Sequence, residues 1–204
     1  MIGIIDYGLG NVKAFLNVYE RLAIPARPIK FENDFEDVTK LILPGVGAFD
    51  QAMIKLNNSG LRDRLEKLVC IDKIPVLGIC VGMQMLTNSS DEGNLPGLGW
   101  IDGKVEKFNN DDIQHKTKLP HMGWNNAVLT KENPLMKQLK DNPKFYFLHS
   151  YYFHCSDNSN VLSYTTYGKE FTSAVNNENV FGVQFHPEKS HQNGITLLNN
   201  FSLL

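Results

Sequence analysis

Cys80 is the residue of this sequence best placed to act as a nucleophile. It stands in the motif Gly78-Ile79-Cys80-Val81-Gly82, between a segment typical of a buried strand and one typical of a helix start. On such a turn the side chain projects above the sheet, and the flanking glycines relieve crowding. A helix N-terminus favours thiolate over thiol, and the Val81 N–H would point toward an oxyanion. The alternative is a small buried cysteine in an α/β core.

His186 and Glu188 could complete a catalytic triad with this cysteine. His186 follows the apolar segment 180–185 and precedes Pro187, which predicts a histidine at a strand end, held in a stiff extended segment. In extended chain Glu188 points the same way, so it could accept a hydrogen bond from the imidazole and fix its tautomer. A base held by an acid is the arrangement that activates a nucleophile. The alternatives are a surface histidine and a solvated carboxylate, since triads are defined in space.

Other chemistries are less well supported. His115, His154 and His191 lack an acid at a useful spacing or lie in predicted loops, whereas His121 and His149 stay in competition as bases. The chain has no C-x-x-C or H-E-x-x-H motif, so we predict no metal site.

The glycine-rich segment 8–11 tests for a nucleotide cofactor. The pair Gly8-Leu9-Gly10 is followed by Lys13 where a dinucleotide-binding loop needs its third glycine, so we predict no cofactor. The alternative for this segment is a βα loop that presents its backbone and Asn11 at the carboxyl edge of a sheet.

Length and charge narrow the class of protein. The chain has 204 residues and a net charge of −2, which predicts one folded domain over residues 1–204 and gives no basic excess for nucleic acid. It contains no apolar run of the roughly 18 residues that a membrane span needs, and its first residues do not resemble a signal peptide. Its three widely spaced cysteines fit a reducing compartment, so we predict a cytoplasmic protein.

The first half of the sequence predicts a parallel, doubly wound α/β sheet. Apolar strand-like segments at 1–6, 25–31, 40–43 and 76–79 alternate with amphipathic helices at about 12–23 and 49–68, the second broken near 57–60. In such a sheet the site lies at the carboxyl ends of the strands. The turn Pro44-Gly45-Val46-Gly47 falls at this edge with Cys80, where its glycines leave N–H groups free to face an anion or carbonyl. The alternative is an ordinary connection.

The second half predicts a mainly antiparallel extension of this sheet. Short strands are expected at 100–108, 125–130, 144–153, 160–167, 171–175 and 180–185, followed by a helix at 194–204. The polar segment 109–118 predicts a mobile loop.

Several motifs occur in an order that resembles the triad, or class I, glutamine amidotransferases. They are DYGLGN, PGVGAF, GICVGMQML, LPHMGWN, FYFLHSYY, FTSAV and GVQFHPEKS, and together they span the chain. PGVGAF, PHMGWN and HSYY are similar, more narrowly, to the glutaminase subunits of imidazole glycerol phosphate synthases, which serve histidine biosynthesis. The resemblance implies a single-domain class I amidotransferase-like fold.

The resemblance also implies a reaction and its residues. Cys80 would attack the side-chain amide of glutamine, with His186 moving the proton and Glu188 holding the ring. The oxyanion hole would comprise Val46, Gly47 and Val81, and the glutamine-binding residues would be Gly47, Gln84, Ser150 and Tyr151.

The partner implied by the resemblance is a (β/α)8-barrel cyclase that receives the ammonia. It would convert a phosphoribulosyl aminoimidazole-carboxamide nucleotide to imidazole glycerol phosphate and an aminoimidazole carboxamide ribotide. The matching interface residues are Asn11, Trp124, Tyr146 and Lys189, with core packing as the alternative for Trp124. The resemblance further implies a poor glutaminase without the partner, and the flexible Gly45–Gly47 turn suggests a misaligned oxyanion hole as the cause.

Three other functions stay open on the sequence. A paralogous subunit could feed ammonia to a synthase of surface-polysaccharide sugars, because the segment 190–193 after the HPEK motif varies between such paralogues. A non-catalytic binding module could keep the same fold. An unrelated cysteine hydrolase or peptidase could use a similar turn.

Overall fold

Strands and helices alternate in the N-terminal half, as the sequence predicts. The computed structural model describes residues 1–114 and 118–204. The elements of this half are β1 Ile2–Ile5, α1 Val12–Arg21, β2 Ala26–Ile29, β3 Lys40–Gly45, α2 Phe49–Asn58, α3 Arg62–Glu66, β4 Val76–Cys80 and α4 Val81–Gln84. The break between α2 and α3 falls at the predicted place.

The C-terminal half is mostly strand. Its elements are β5 Ser89–Ser90, β6 Gly103–Lys107, β7 His121–Asn126, β8 Val128–Leu129, β9 Lys144–His149, β10 Tyr151–Cys155, β11 Val161–Tyr167, β12 Lys169–Asn177, β13 Val180–Val183 and α5 His191–Ser202. The closing helix therefore begins three residues before the predicted Gly194.

The main sheet joins a parallel part to an antiparallel part. Its order is β2-β1-β3-β4-β13-β12-β10-β6-β5, and β11 and β8 continue it from β12. The strands from β2 to β13 pair in parallel, while β12, β10 and β6 add antiparallel pairs. All five residues of β4 are buried, as expected for a central parallel strand covered on both faces. Cys80 thus ends an inner strand of the parallel part.

The prediction of one strand over 144–153 is wrong. The chain forms β9 and β10 instead, and they belong to different sheets: β9 pairs with β7 in a separate two-stranded sheet, whereas β10 pairs with β6 in the main sheet. The change of sheet occurs at Ser150, which lies between the two strands. The sequence hides this step because aromatic residues typical of strands continue on both sides of Ser150.

Two further predictions concern the helix after Cys80 and the loop 109–118. The helix after Cys80 is one turn long, since α4 ends at Gln84. Within the predicted loop 109–118, Asn110–Asp112 forms a 3₁₀ turn, and His115 lies outside the described residues.

The helices and the grouping of ligand-type side chains bear on membrane insertion and on metal binding. None of the helices in the described part of the chain combines the length and the apolar character needed to cross a bilayer. Across residues 1–114 and 118–204, no three His, Cys, Asp or Glu side chains group as ligands for a metal ion.

Candidate active site

Cys80 sits on a strained turn between β4 and α4. Its φ and ψ are +55° and −113°, a region that residues with a side chain rarely adopt and that costs on the order of 1–3 kcal/mol. The turn also passes close to β3: a Cβ built on Gly82 would lie 1.9 Å from the carbonyl oxygen of Leu43. Glycine is therefore required at position 82 for α4 to start where it does, directly behind the sulfur.

His186 and Glu188 meet at the end of β13, beside Cys80. Nδ1 of His186 lies 2.8 Å from Oε1 of Glu188, and both side chains are almost fully buried. Because a carboxylate only accepts, Nδ1 carries the proton of this bond, and the other ring nitrogen is left for the Cys80 sulfur, whose interaction with the ring raises the pKa of His186. The structure thus brings the three predicted triad residues into one connected row.

The way in which Glu188 reaches His186 differs from the prediction. Residues Pro187–Lys189 form a 3₁₀ turn rather than an extended segment. The turn is closed by Ser190, whose hydroxyl donates to the carbonyl oxygen of His186 at 2.6 Å and accepts from the Tyr146 N–H at 2.9 Å. The tight turn, not strand alternation, places the carboxylate under the imidazole.

The charge of His186 reflects these neighbours. Burial by itself lowers the pKa of His186, but the hydrogen bonds to Cys80 and Glu188 and their charges outweigh burial and raise the pKa to about 10. At neutral pH the ring is therefore an imidazolium, paired with sulfur on one side and carboxylate on the other. A thiolate–imidazolium pair is the reactive form of a cysteine nucleophile.

Two further groups contact the sulfur. Nε2 of Gln184 lies 3.7 Å from Sγ, and the carbonyl oxygen of Leu148 lies 3.8 Å from it. The amide of Gln184 therefore donates toward the sulfur, whereas the Leu148 carbonyl can only accept from it.

The predicted oxyanion turn lies at the end of β3. Val46 and Gly47 are exposed, and Gly47 has a φ of +85°, which glycine adopts without strain. The turn is anchored at its base, because the buried hydroxyl of Tyr7 donates to the carbonyl oxygen of Pro44 at 2.8 Å. The turn is thus held at its buried base and exposed at its tip, residues 46–48.

A cavity of about 270 Å³ opens above the sulfur. All of the predicted oxyanion and glutamine-binding residues line it, and so do Cys80, His186 and Lys189. Glu188 lies behind His186 and is not part of the lining. A larger surface cavity of about 890 Å³ lies over residues 129–141, and none of the predicted site residues lines it.

The side-chain amide of Gln84, which lines this cavity, is hydrogen-bonded to two other protein groups. Its Nε2 donates to the carbonyl oxygen of Tyr151 at 3.0 Å and to Oε1 of Gln184 at 3.1 Å. With both N–H groups engaged, its carbonyl oxygen is the atom left to face a ligand.

Almost the whole chain matches one known protein family. The family model described as class I glutamine amidotransferase matches residues 4–203. The chain belongs to the class I glutamine amidotransferase family. A glutamine amidotransferase known from its crystal structure has the same fold, with a TM-score of 0.75 at 17% sequence identity, over 100% of this chain and 99% of that chain.

Curated relatives of the chain carry the name of one amidotransferase subunit. The chain is 56% identical over 202 residues to the imidazole glycerol phosphate synthase subunit HisH of Bdellovibrio bacteriovorus, which covers 99% of each chain. It is 53% identical over 204 residues to the subunit HisH of Leptospira interrogans, which covers 100% of each. The predicted family is confirmed, and these names do not favour the paralogue for surface-polysaccharide sugars.

Three of the four predicted interface residues of this amidotransferase are neighbours. Trp124 stacks on His191 with ring centroids 5.0 Å apart and contacts Tyr146 edge-on, and the Lys189 ammonium lies 5.8 Å from the Tyr146 ring centre. These residues form one patch beside the cavity. Trp124 is 47% exposed, so it is not packed in the core. Asn11 instead caps α1, where its Oδ1 accepts from the Ala14 N–H at 3.2 Å.

The sequence analysis missed two residues of the amidotransferase site. Glu92 lines the cavity, and its Oε2 accepts from the Phe49 N–H, at the start of α2, at 2.9 Å. Burial raises the pKa of Glu92, and Asp50 adds to the rise. In the sequence Glu92 looks like any solvated acid in a polar loop, so no signal singles it out. Gln184 could have been found, because a buried polar residue inside an apolar strand needs a partner.

Proposed function

We propose that this amidotransferase hydrolyses glutamine with the triad Cys80, His186 and Glu188, and that it supplies the ammonia to the cyclase subunit of imidazole glycerol phosphate synthase in histidine biosynthesis. The observation that carries the proposal is the sulfur and the imidazole lining a cavity of about 270 Å³, with the carboxylate hydrogen-bonded behind the imidazole. The buried His186–Glu188 pair and the strained backbone at Cys80 also argue against a non-catalytic binding module, which would need neither.

The first step forms a covalent intermediate. The thiolate of Cys80 attacks the side-chain carbonyl carbon of glutamine, and the carbonyl oxygen becomes an oxyanion. The C–N bond then breaks, His186 gives its proton to the leaving nitrogen, and ammonia departs. A γ-glutamyl thioester remains on Cys80, and the neutral imidazole is still oriented by Glu188.

The second step releases glutamate. His186 takes a proton from water, and the resulting hydroxide attacks the thioester carbonyl. The C–S bond breaks, the thiolate leaves, and the thiolate–imidazolium pair is restored. Glu188 keeps the ring in the tautomer that both steps need.

The oxyanion of both steps needs fixed hydrogen-bond donors. The N–H of Val81 at the start of α4 and the Val46–Gly47 turn flank the sulfur and are the proposed donors. The loss of one such donor costs roughly 100- to 1000-fold in rate. An exposed tip at 46–48 therefore gives the partner a means to switch the chemistry on.

Recognition of glutamine follows from the polar groups of the cavity. The Glu92 carboxylate is the acidic group that suits the α-ammonium, while Ser150 and Tyr151 lie opposite at the β9–β10 step. Gly47 and the oxygen of Gln84 complete the proposed contacts. Opposite charges in a small cavity attract strongly, since little water screens them.

The partner is a cyclase subunit, and we propose the (β/α)8-barrel fold for it. Ammonia released into water would be protonated and lost, so the cavity must open toward the acceptor. The outer face of β7 and β9 supports this docking: Met122 and Trp124 are exposed there, opposite Leu148 and Tyr146 in register. The proposal includes a cytoplasmic complex, supported by cysteines that form neither a disulfide framework nor a zinc motif.

Reconstitution with the cyclase tests the proposal. We expect glutamate and imidazole glycerol phosphate in equal amounts when glutamine and the nucleotide acceptor are both present, and little glutamate from the isolated subunit. Cys80→Ala should abolish glutamate release, while Cys70→Ala, at an exposed cysteine that does not line the cavity, should not. Glutamine hydrolysis without any coupling to the cyclase product, or peptide hydrolysis instead, would contradict it.

A further inference from the structure

Two buried histidines face each other beneath the outer face of β7 and β9. His121 and His149 are partners in the register of these strands, and Nδ1 of His121 lies 3.0 Å from Nε2 of His149. The other nitrogen of His149, Nδ1, lies 2.7 Å from the carbonyl oxygen of Tyr151. Glu188 is hydrogen-bonded to His186 and not to either of these histidines, which favours His186 as the base, although His149 also lines the cavity.

The protons in this row have one consistent arrangement. A carbonyl oxygen only accepts, so Nδ1 of His149 must carry the proton. Burial, followed by the charge of His121, lowers the pKa of His149 to about 3, so the ring is neutral and its Nε2 must accept. Nδ1 of His121 is then the donor between the two rings.

The outer end of the row is fixed as well. Nδ2 of Asn125 lies 3.2 Å from Nε2 of His121 and 2.9 Å from the carbonyl oxygen of Thr166, so its two N–H groups serve both acceptors. Oδ1 of Asn125 accepts from the Asn126 N–H at 2.8 Å, which fixes the orientation of the amide. A directed row therefore runs from Asn125 through His121 and His149 to Tyr151.

The inner end of the row reaches the glutamine cavity. The carbonyl oxygen of Tyr151 accepts from both His149 and Gln84, at 2.7 and 3.0 Å. Ser150 and Tyr151, which line the cavity, lie where the chain leaves the two-stranded sheet for the main sheet. Ser150 belongs to neither strand; the backbone here is held by the Phe108 N–H, which donates to the Ser150 carbonyl oxygen at 3.4 Å, and by the pairing of Tyr151 with Lys107, and the Tyr151 carbonyl is held in addition by His149 and Gln84.

We propose that His121 and His149 are positioning residues for glutamine, which set the Ser150–Tyr151 segment by holding the Tyr151 carbonyl through a directed row of hydrogen bonds. This rests on the proposed function, because the segment is assigned there to glutamine binding. The simpler role is space filling: His121 stacks between Phe147 and Tyr167, with ring centroids 4.8 and 4.1 Å away. The positioning role requires that Nδ1 of His121 donates a hydrogen bond to His149, whereas space filling requires only the ring.

Tautomers measured by nitrogen NMR on the histidine-labelled wild-type chain test the row directly. We expect both His121 and His149 to be neutral with the proton on Nδ1, which is the less common tautomer of free imidazole. An Nε2–H tautomer at either ring, or an imidazolium at neutral pH, would overturn the proposal. This measurement needs neither turnover nor partner, so it stands even if the proposed function fails.

Two variants in the complex with the cyclase separate hydrogen bonding from stacking. His121→Phe keeps the stacked ring but removes the donor, and His121→Asn keeps a donor at the place of Nδ1 but removes the ring. We expect His121→Phe to raise the KM for glutamine about tenfold, the effect of one lost hydrogen bond, with kcat little changed. His121→Asn should retain a KM near that of the wild type.

The outcomes of this pair are decisive. An unchanged KM in His121→Phe, or an equal rise in both variants, would overturn the proposal in favour of packing. Unfolding in urea checks that both variants fold, and the NMR tautomers decide the matter if either does not. A wild-type complex that fails to hydrolyse glutamine would overturn the proposed function instead, and the tautomers would still test the row.

Discussion

The pKa of His186 depends on both of its neighbours, Cys80 and Glu188. Its pKa is raised from 6.5 to about 10, although burial acts in the opposite direction. Because the pKa is higher in the folded state, protonation of this ring stabilises the fold fully below about pH 6.5, and that contribution is lost as the pH rises through about 10. The same proton is the one delivered to ammonia, so stability and activity should both weaken in alkaline solution.

Glu188→Gln tests the carboxylate at this scale. The amide keeps the shape of Glu188 but removes its charge, so the pKa of His186 should fall. We expect the alkaline limb of the kcat/KM profile to move to lower pH. The plateau should drop roughly 100-fold or more, because the carboxylate no longer orients His186 for proton transfer. The measurement is glutaminase activity of the complex across pH.

The control is Glu178→Gln, which removes an exposed carboxylate that pairs with Lys73 at 2.8 Å. Its pH profile should match the wild type, since surface ion pairs contribute little. If Glu188→Gln kept both the wild-type limb and the wild-type plateau, the carboxylate would have no part in the triad.

At the residue scale the sequence predicts chemistry better than geometry. Cys80, His186 and Glu188 stand in motifs whose residue types already indicate their roles. The 3₁₀ turn at 187–189 was not predicted, since it depends on Ser190 closing the turn through contacts with Tyr146 that are remote in sequence. Glu92 was missed because its burial comes from folding against α2.

At the scale of elements, the loop after β1 supports the turn after β3. The buried Tyr7 hydroxyl donates to the carbonyl oxygen of Pro44, the residue before Gly45 at the end of β3. A single side chain thus fixes the base of the oxyanion turn from the neighbouring strand. The tip of the turn, residues 46–48, is exposed.

Tyr7→Phe should reveal this support. The variant leaves the Pro44 carbonyl without its buried donor, so we expect a loss of about 1 kcal/mol in the free energy of unfolding. Since the turn carries the proposed oxyanion donor, kcat should fall more than the KM for glutamine changes. Urea unfolding and steady-state kinetics of the complex measure the two effects.

Tyr164→Phe serves as the matched control, because it removes a hydroxyl that bonds to Asn158 at the surface, away from the cavity. It should leave kcat unchanged. A Tyr7→Phe variant whose kcat equals that of the wild type would show that the turn is positioned without the hydroxyl.

Elements were predicted well where burial follows a simple pattern. The parallel strands β1, β3 and β4 appear as apolar runs, and the α/β fold with its antiparallel extension is confirmed by the solved relative. The step from β9 to β10 could not be predicted, because strand periodicity is the same in one sheet as in two. That step places Ser150 at the cavity.

On the scale of the whole molecule, one apolar face adjoins the cavity. Val46, Met122 and Trp124 are among the exposed large hydrophobic residues, and Tyr146 lies beside Trp124. Aromatic residues in such a face contribute most to protein–protein binding. The motifs indicated this face, but only the pairing of β7 with β9 shows that Trp124 and Tyr146 lie together.

Trp124→Ala should weaken binding of the cyclase. Removal of a central aromatic typically costs 2 kcal/mol or more, which corresponds to roughly a 30-fold rise in Kd. Titration of the cyclase into the variant measures this, and urea unfolding should show little loss because Trp124 is about half exposed. Ile71→Ala is the control, since Ile71 is more exposed and comes before β4, at the end of that strand opposite Cys80. Equal Kd values for the two variants would place the interface elsewhere.

The most direct measurement of the central claim is the covalent intermediate on the sulfur. The complex is mixed with glutamine, quenched in acid within the turnover time, digested and analysed by mass spectrometry. We predict a γ-glutamyl group on the peptide that contains Cys80, absent in Cys80→Ala and present in Cys70→Ala. Full turnover with no glutamyl group on Cys80 at any quench time, or undiminished turnover in Cys80→Ala, would contradict the account.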